Sequence, residues 1–320
     1  FGVGALAGAS GATGVNNAAF GTNALNVLTS GSYNAAMGRG ALSANTTGSY
    51  NTGLGVYALF SNTTANSNTA VGYLAGYSNQ TGVELALFGY YAGQANTGNS
   101  LTALGYYAGG RNTTGAGNTF VGGYAAQNNT TGASNVAVGY LALQANTTAT
   151  NNTAVGYQAL YTNSTGVSLT AVGYQAGYSA TTGYLVAVGQ KAGYSATSAN
   201  GVFVGYEAGL NTTTGADVVA IGLRALNTNT TGGYNVAVGR DALYSNTTAS
   251  NNTAVGYQSA YTNSTGDALA AFGTYALYSN TTGAQNAAFG YQALYSNTTG
   301  NFNVAVGKNA LQSNTTASQN

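Results

Sequence analysis

A glycine preceded by a bulky apolar residue returns about every 17 residues along this chain, and that period limits the fold more than any other feature. The series begins Gly4, Gly21, Gly38, Gly55, Gly72, Gly89 and runs to Gly290 and Gly307; fifteen of its eighteen spacings are 17 and three are 16. No insertion interrupts it, so residues 1–320 read as a single continuous solenoid of nineteen coils, a segment of a longer fibre protein. Repeats this short cannot bury a core alone and must stack on their neighbours.

The consensus coil is N-x-A-V-G-Y-x-A-L-Y-S-N-T-T-G-x-x. One or more glycines per coil, with Asn, Thr and Val, argue against helix. N-x-A-V-G-Y is β-branched and aromatic at alternate places and predicts a strand. A-L-Y-S predicts a second, shorter strand. N-T-T-G predicts a turn whose Gly takes positive φ. The expected fold is all-β, a parallel β-solenoid or β-roll. Stacked at about 4.8 Å per coil, nineteen coils would extend roughly 90 Å. Val, Leu and Ala are expected in interior columns, and equivalent Asn side chains in amide ladders. The near-constant Ala before the bulky residue lies on the opposite strand face from it, broken by Leu87, Phe120 and Phe203. A small residue on a second face suggests close approach by a neighbouring subunit, or simply a narrow single-chain interior.

Composition removes several functions. Lys and Arg number six, Asp and Glu five, and the net charge is +1. Phosphate neutralisation needs clustered basic residues, so nucleic acid is not an expected partner. There is no His and no Cys, hence no neutral-pH imidazole base, thiolate nucleophile or disulfide framework. No 18-residue apolar run predicts a membrane span. Calcium-binding nonapeptide rolls need Asp in each turn, and no Gly-Lys-Ser/Thr phosphate loop is present. No metal or other cofactor is expected, and the chain is not expected to be an enzyme. Ice binding would need flat Thr-x-Thr strands, whereas the Thr pairs here lie in turns.

Three candidate features remain. Asn45, Asn62, Asn79, Asn112, Asn129, Asn146, Asn163, Asn229, Asn246, Asn263, Asn280, Asn297 and Asn314 each begin Asn-x-Ser/Thr at one coil position, and Asn211 does so one place earlier. Such sites suit covalent glycans on an exposed turn; alternatively Asn and Thr only cap the bend. Lys191, Glu207, Arg224 and Asp241 stand at one position in successive coils with alternating sign. They predict an exposed ion-pair ladder that fixes register, since Arg224 separates the two carboxylates a glycosidase would need. Tyr forms two columns, one directly after the coil Gly and one four residues on. These either cover the coil corner by stacking or grip carbohydrate.

At Asn152–Leu160, Asn252–Ala260 and Asn286–Leu294 the sequence (N-T-A-V-G-Y-Q-A-L and close variants) resembles the head repeats of trimeric autotransporter adhesins. It is also similar to repeat shafts of bacterial and phage tail-fibre proteins. The resemblance covers the whole chain. It implies a left-handed roll, three chains wrapped as a homo-oligomer or filament, and a place outside the cell, on its surface or on a virion appendage. The implied function is the structural shaft of an extracellular fibre or adhesin used for projection and attachment. The alternative is a fibre surface whose Tyr and Asn/Thr columns bind surface glycans. Adhesin head repeats are usually shorter than 17 residues, and the charged neck and coiled-coil heptads that follow such heads are missing.

Overall fold

The computed structural model describes residues 12–197 and 200–320. The coil around Gly4 lies outside the described residues. Two compact units are present, residues 1–158 with 163–165, and residues 159–162 with 166–320. Both are built from the same coil. In the first, β1 (Ala18–Phe20) through β9 (Thr153–Val155) pair in chain order; in the second, β10 (Thr170–Val172) through β18 (Val304–Val306) do the same. Every pairing is parallel and in register, with Ala36 beside Ala19 and Ala288 beside Ala271. No described residue is helical. The chain is an all-β parallel solenoid of about 17-residue turns.

Each described coil contains one strand, three or four residues long and ending just before the coil Gly. The second strand expected at A-L-Y-S does not form. Its Leu adopts left-handed backbone, φ 51° at both Leu42 and Leu294, which no strand accommodates. The residue two after the coil Gly is left-handed too, as at Asp241 (56°) and Gln292 (54°). Alternating these conformations folds the segment into a run of tight turns.

The strand ends at its Gly for two reasons. At Gly139 φ is 136°, outside the range of ordinary L-residues, and a Cβ there would lie 2.7 Å from the carbonyl carbon of Gly156 in the next coil. The Gly of N-T-T-G was expected to supply positive φ. Gly48, Gly132 and Gly283 instead have ordinary φ, and they press against the backbone of the following coil.

Of the residues expected inside, Ala and Leu are there and the Val column is not; of the two readings of the near-constant Ala, the narrow single-chain interior is the one seen. The small central residue points into the coil: Ala36, Ala154 and Ala288 are buried. The bulky residue before the Gly points out, with Phe20 62%, Met37 54% and Phe289 40% exposed. The interior is a narrow cavity filled by this Ala, by the Ala three after the Gly (Ala24, Ala142, Ala293) and by Leu such as Leu25, Leu143 and Leu294. The approaching backbone that demands Ala is therefore the opposite wall of the same coil.

Candidate functional site

The inside of most coils carries one or two amide ladders, interrupted where Leu28, Ala180, Ala196 or Thr212 takes the first position and Leu85, Leu101, Leu169 or Leu269 the second. The first uses the Asn seven after the coil Gly. Asn280 Nδ2 donates to Gly283 O at 2.8 Å in its own turn and to Asn263 Oδ1 at 2.9 Å, and its Oδ1 accepts from Asn297 Nδ2 at 2.9 Å. Asn45, Asn62 and Asn79 repeat the pattern. The second ladder uses the Asn just ahead of the strand. Asn34 Nδ2 donates to Gly48 O at 2.8 Å, and Asn34 Oδ1 accepts the backbone N–H of Asn51 at 3.0 Å. Outside the turn, Thr hydroxyls form a third row, Thr281 Oγ1 donating to Thr298 O at 3.0 Å. The expected amide ladders thus form where Asn recurs, and most of the buried amides bond to the adjacent coil, with Asn146 Oδ1 and Asn252 Nδ2 left without a hydrogen-bond partner.

These ladders decide what the sequon positions look like. Asn45, Asn62, Asn79, Asn112, Asn129, Asn146, Asn163, Asn229, Asn246, Asn263, Asn280 and Asn297 are all fully buried. Their Nδ2 atoms, where a glycan would be attached, point inward rather than onto an exposed turn. Asn314 is half-buried and bonded to Asn297 Oδ1. Asn211 differs: it is exposed, because Thr212 takes the interior position in that coil.

Of the expected charge ladder, the structure forms one step. Arg224 reaches Asp241 through two bonds, Nε to Oδ1 at 2.9 Å and Nη2 to Oδ2 at 3.2 Å. Arg240 Nε adds a contact to Asp241 Oδ2 at 3.3 Å. Among the described residues these two are the ion pairs within 4 Å. Lys191 lies over the Tyr194 ring instead, and Glu207 bonds the Tyr206 phenol. The exposure expected of the ladder is also corrected at one end: the Asp241 side chain is fully buried beneath the two guanidiniums. Its hydrogen bond raises the Arg224 pKa, against the opposing effect of burial. The Tyr206 pKa is raised by the bond to Glu207, with Arg224 acting the other way.

The remaining carboxylates stabilise corners between coils. Glu84 Oε2 accepts from Ser100 Oγ at 2.9 Å, and Asp217 Oδ1 accepts from Asn200 Nδ2 at 3.4 Å. Asp267 Oδ1 accepts the Ser250 N–H. Among the described residues no group of three or more acidic side chains is placed to hold a metal ion, and no helix is long and apolar enough to cross a membrane.

Tyr rings stack along the coils. Tyr244, Tyr261, Tyr278 and Tyr295 lie at centroid spacings of 5.2, 5.4 and 5.1 Å, within 12° of parallel. Tyr73, Tyr90 and Tyr106 form a second stack at 5.2 and 5.3 Å. Stacking turns the ring faces toward one another, so solvent meets edges and hydroxyls. Burial and neighbouring phenols raise the Tyr278 pKa.

One feature was missed in the sequence. The outward strand face carries two uncharged columns, one of Ala, Thr or Val and one apolar, for example Thr153 and Val155, or Ala287 and Phe289. Their alternation with the near-constant small residue was visible, but Val was expected inside rather than on the outward face. With this geometry in view, no protein-family model, curated protein or solved structure matches the chain.

Proposed function

We propose that the chain is a non-catalytic structural shaft, a rod-forming part of an extracellular appendage that holds other domains away from a surface. The observation that supports it most directly is the pairing of buried amides between adjacent coils wherever Asn recurs. Polar side chains that could serve a ligand are used instead to template the stack. The five carboxylates are dispersed, and the most buried of them is covered by two guanidiniums. Every resolved pKa shift moves a Tyr or Arg upward, further from neutrality.

The shaft is proposed to contain several copies, three by analogy with the adhesin-like repeats. The outward columns support this, since a charge-free strand face is a poor surface to leave in water. A glycan-gripping Tyr surface is less favoured, because stacked rings offer edges where sugar faces would need ring faces.

The test is electron microscopy and native mass on the chain expressed alone, with polysaccharide cleavage assayed in parallel. Uniform rods with a mass several times 31.7 kDa and no cleavage would support the reading. Reproducible turnover of a polysaccharide by the pure chain would overturn it.

A further inference from the structure

The two outward columns are matched in size, coil by coil. Ala stands in the first column in five strands, at Ala18, Ala35, Ala86, Ala270 and Ala287. In those same strands the second column holds Phe20, Met37, Phe88, Phe272 and Phe289. Leu54 and Leu104 are paired with Thr52 and Thr102. Where the second residue is Val or Ile, the first is Thr or Val, as in Thr69 and Val71 or Val219 and Ile221. Among the described strands, neither Phe nor Met occupies the second column beside Thr or Val.

A hydrated face has no need of this, since water fills any relief. A packed face does, because voids and overlaps both cost stability. The compensation therefore points to a second surface lying on these columns. The columns hold no charged side chain, so charge cannot set the register of whatever covers them.

We propose that the covering surface is another copy of this chain, parallel and in register, with the larger column of one copy against the smaller column of the next. Only that arrangement brings residues of the same coil together, so Phe289 meets Ala287, Leu104 meets Thr102 and Val138 meets Val136. A slip of one coil would press Phe289 on Val304 and leave Val255 facing Ala270. A reversed copy scatters the sizes likewise. The area suffices within either unit: two outward side chains offer roughly 100 Å² per coil, so nine coils offer roughly 900 Å², against about 800 Å² per partner in a standard interface. Phe272 and Phe289, 37% and 40% exposed, already stack at 5.2 Å and present a level ridge. This inference rests on the multi-copy reading and specifies its face and register.

The test compares self-association of the 320-residue chain with Ala287→Phe, Phe289→Ala and the double exchange, by native mass and light scattering over a concentration series. Both positions face outward, so circular dichroism should show unchanged folding. Ala287→Phe is expected to weaken association about tenfold or more through overlap, and the double exchange to recover much of it. As a second readout, Ala287→Cys and Phe289→Cys chains are mixed with a short bis-maleimide, which finds no native thiol. Efficient mixed cross-linking is expected, with little between Phe289→Cys and Ala35→Cys. An assembled wild type indifferent to Ala287→Phe, or one cross-linking as well to Ala35→Cys, overturns the face and register while leaving the multi-copy shaft intact. A wild type monomeric throughout overturns both.

Discussion

The ring of Phe120 fills the space that a side chain at Gly109 would occupy: a Cβ on Gly109 would lie 2.7 Å from the ring's Cδ2. The same exchange occurs at Gly93, where a Cβ would meet Leu87 Cδ2 at 2.8 Å, and at Gly193 with Phe203 Cδ2 at 2.9 Å. Most coils place Leu at this position and Ala on the inward face of the strand; Leu87 and Gly93 invert that pair within one coil, whereas Phe120 and Phe203 fill the space left by a Gly of the preceding coil. Gly109 has φ 55°, and Leu226 and Leu277 tolerate 54° and 53° at equivalent positions, so backbone conformation is not the obstacle to Leu. Gly109→Leu should cost about 1–3 kcal/mol by overpacking, and Phe120→Ala about 3–5 kcal/mol by leaving a cavity. The double variant exchanges the two volumes across adjacent coils and should cost much less than the sum. A thermodynamic cycle from chemical unfolding measures this, and strict additivity would count against volume exchange.

Asn280 tests the ladders. Replacing it by Ala leaves Gly283 O without this donor and takes one of two donors from Asn263 Oδ1, which keeps the Gly266 N–H, a cost of about 1–3 kcal/mol for the group left unpaired in the interior. Asn280→Asp should be worse near neutral pH, since it removes the same donors and buries a carboxylate. Protonation returns one donor, so the Asp variant should regain stability as pH falls, while the Ala variant should not. Thermal melts at pH 7 and pH 4 separate the two. Equal pH responses would show that the buried position is more open to water than the geometry indicates.

At Asp241 the expected effect is smaller. Arg224 and Arg240 remain 34% and 56% exposed, so solvent screens their attraction to the carboxylate and they can rehydrate when it is removed. Asp241→Asn keeps the shape and should lower stability by about 1 kcal/mol, with little salt dependence left in the melting temperature. A loss several times larger would identify this pair as a main anchor of its unit.

The period, the strand position and the parallel stacking were all legible, because a 17-residue repeat with one β-rich stretch leaves few ways to fold. Which strand face lies inside was not. Hydrophobicity favours Val155 over Ala154 for the interior, but the width of the coil decides, and only Ala fits opposite Ala159. The anomalies at Leu87, Phe120 and Phe203 held the clue, since Gly stands at Gly93, Gly109 and Gly209 nearby in the stack. The A-L-Y-S strand was misread for a different reason. Left-handed Leu is rare enough that sequence pattern does not suggest it. For the sequon Asn residues the motif left glycans on an exposed turn and simple turn capping both open, and identical spacing alone did not join them to the expected amide ladders.

Those sequon positions give the last prediction. A glycan on Asn280 Nδ2 would have to leave a fully buried site and abandon the bonds to Asn263 and Gly283. The same holds at Asn45, Asn62 and Asn246, where Nδ2 donates inside the coil. Asn211 is exposed, and Thr212 rather than Asn occupies the interior position beside it, so sugar there would disturb no ladder. Expressed in a host that glycosylates Asn-x-Ser/Thr, the folded chain should carry sugar at Asn211 and none at the twelve buried positions. Peptide mapping by mass spectrometry after deglycosylation in heavy-oxygen water reads the occupancy site by site. Sugar found regularly along the buried row, on a chain that still folds, would mean that the ladder is not closed in the native coil.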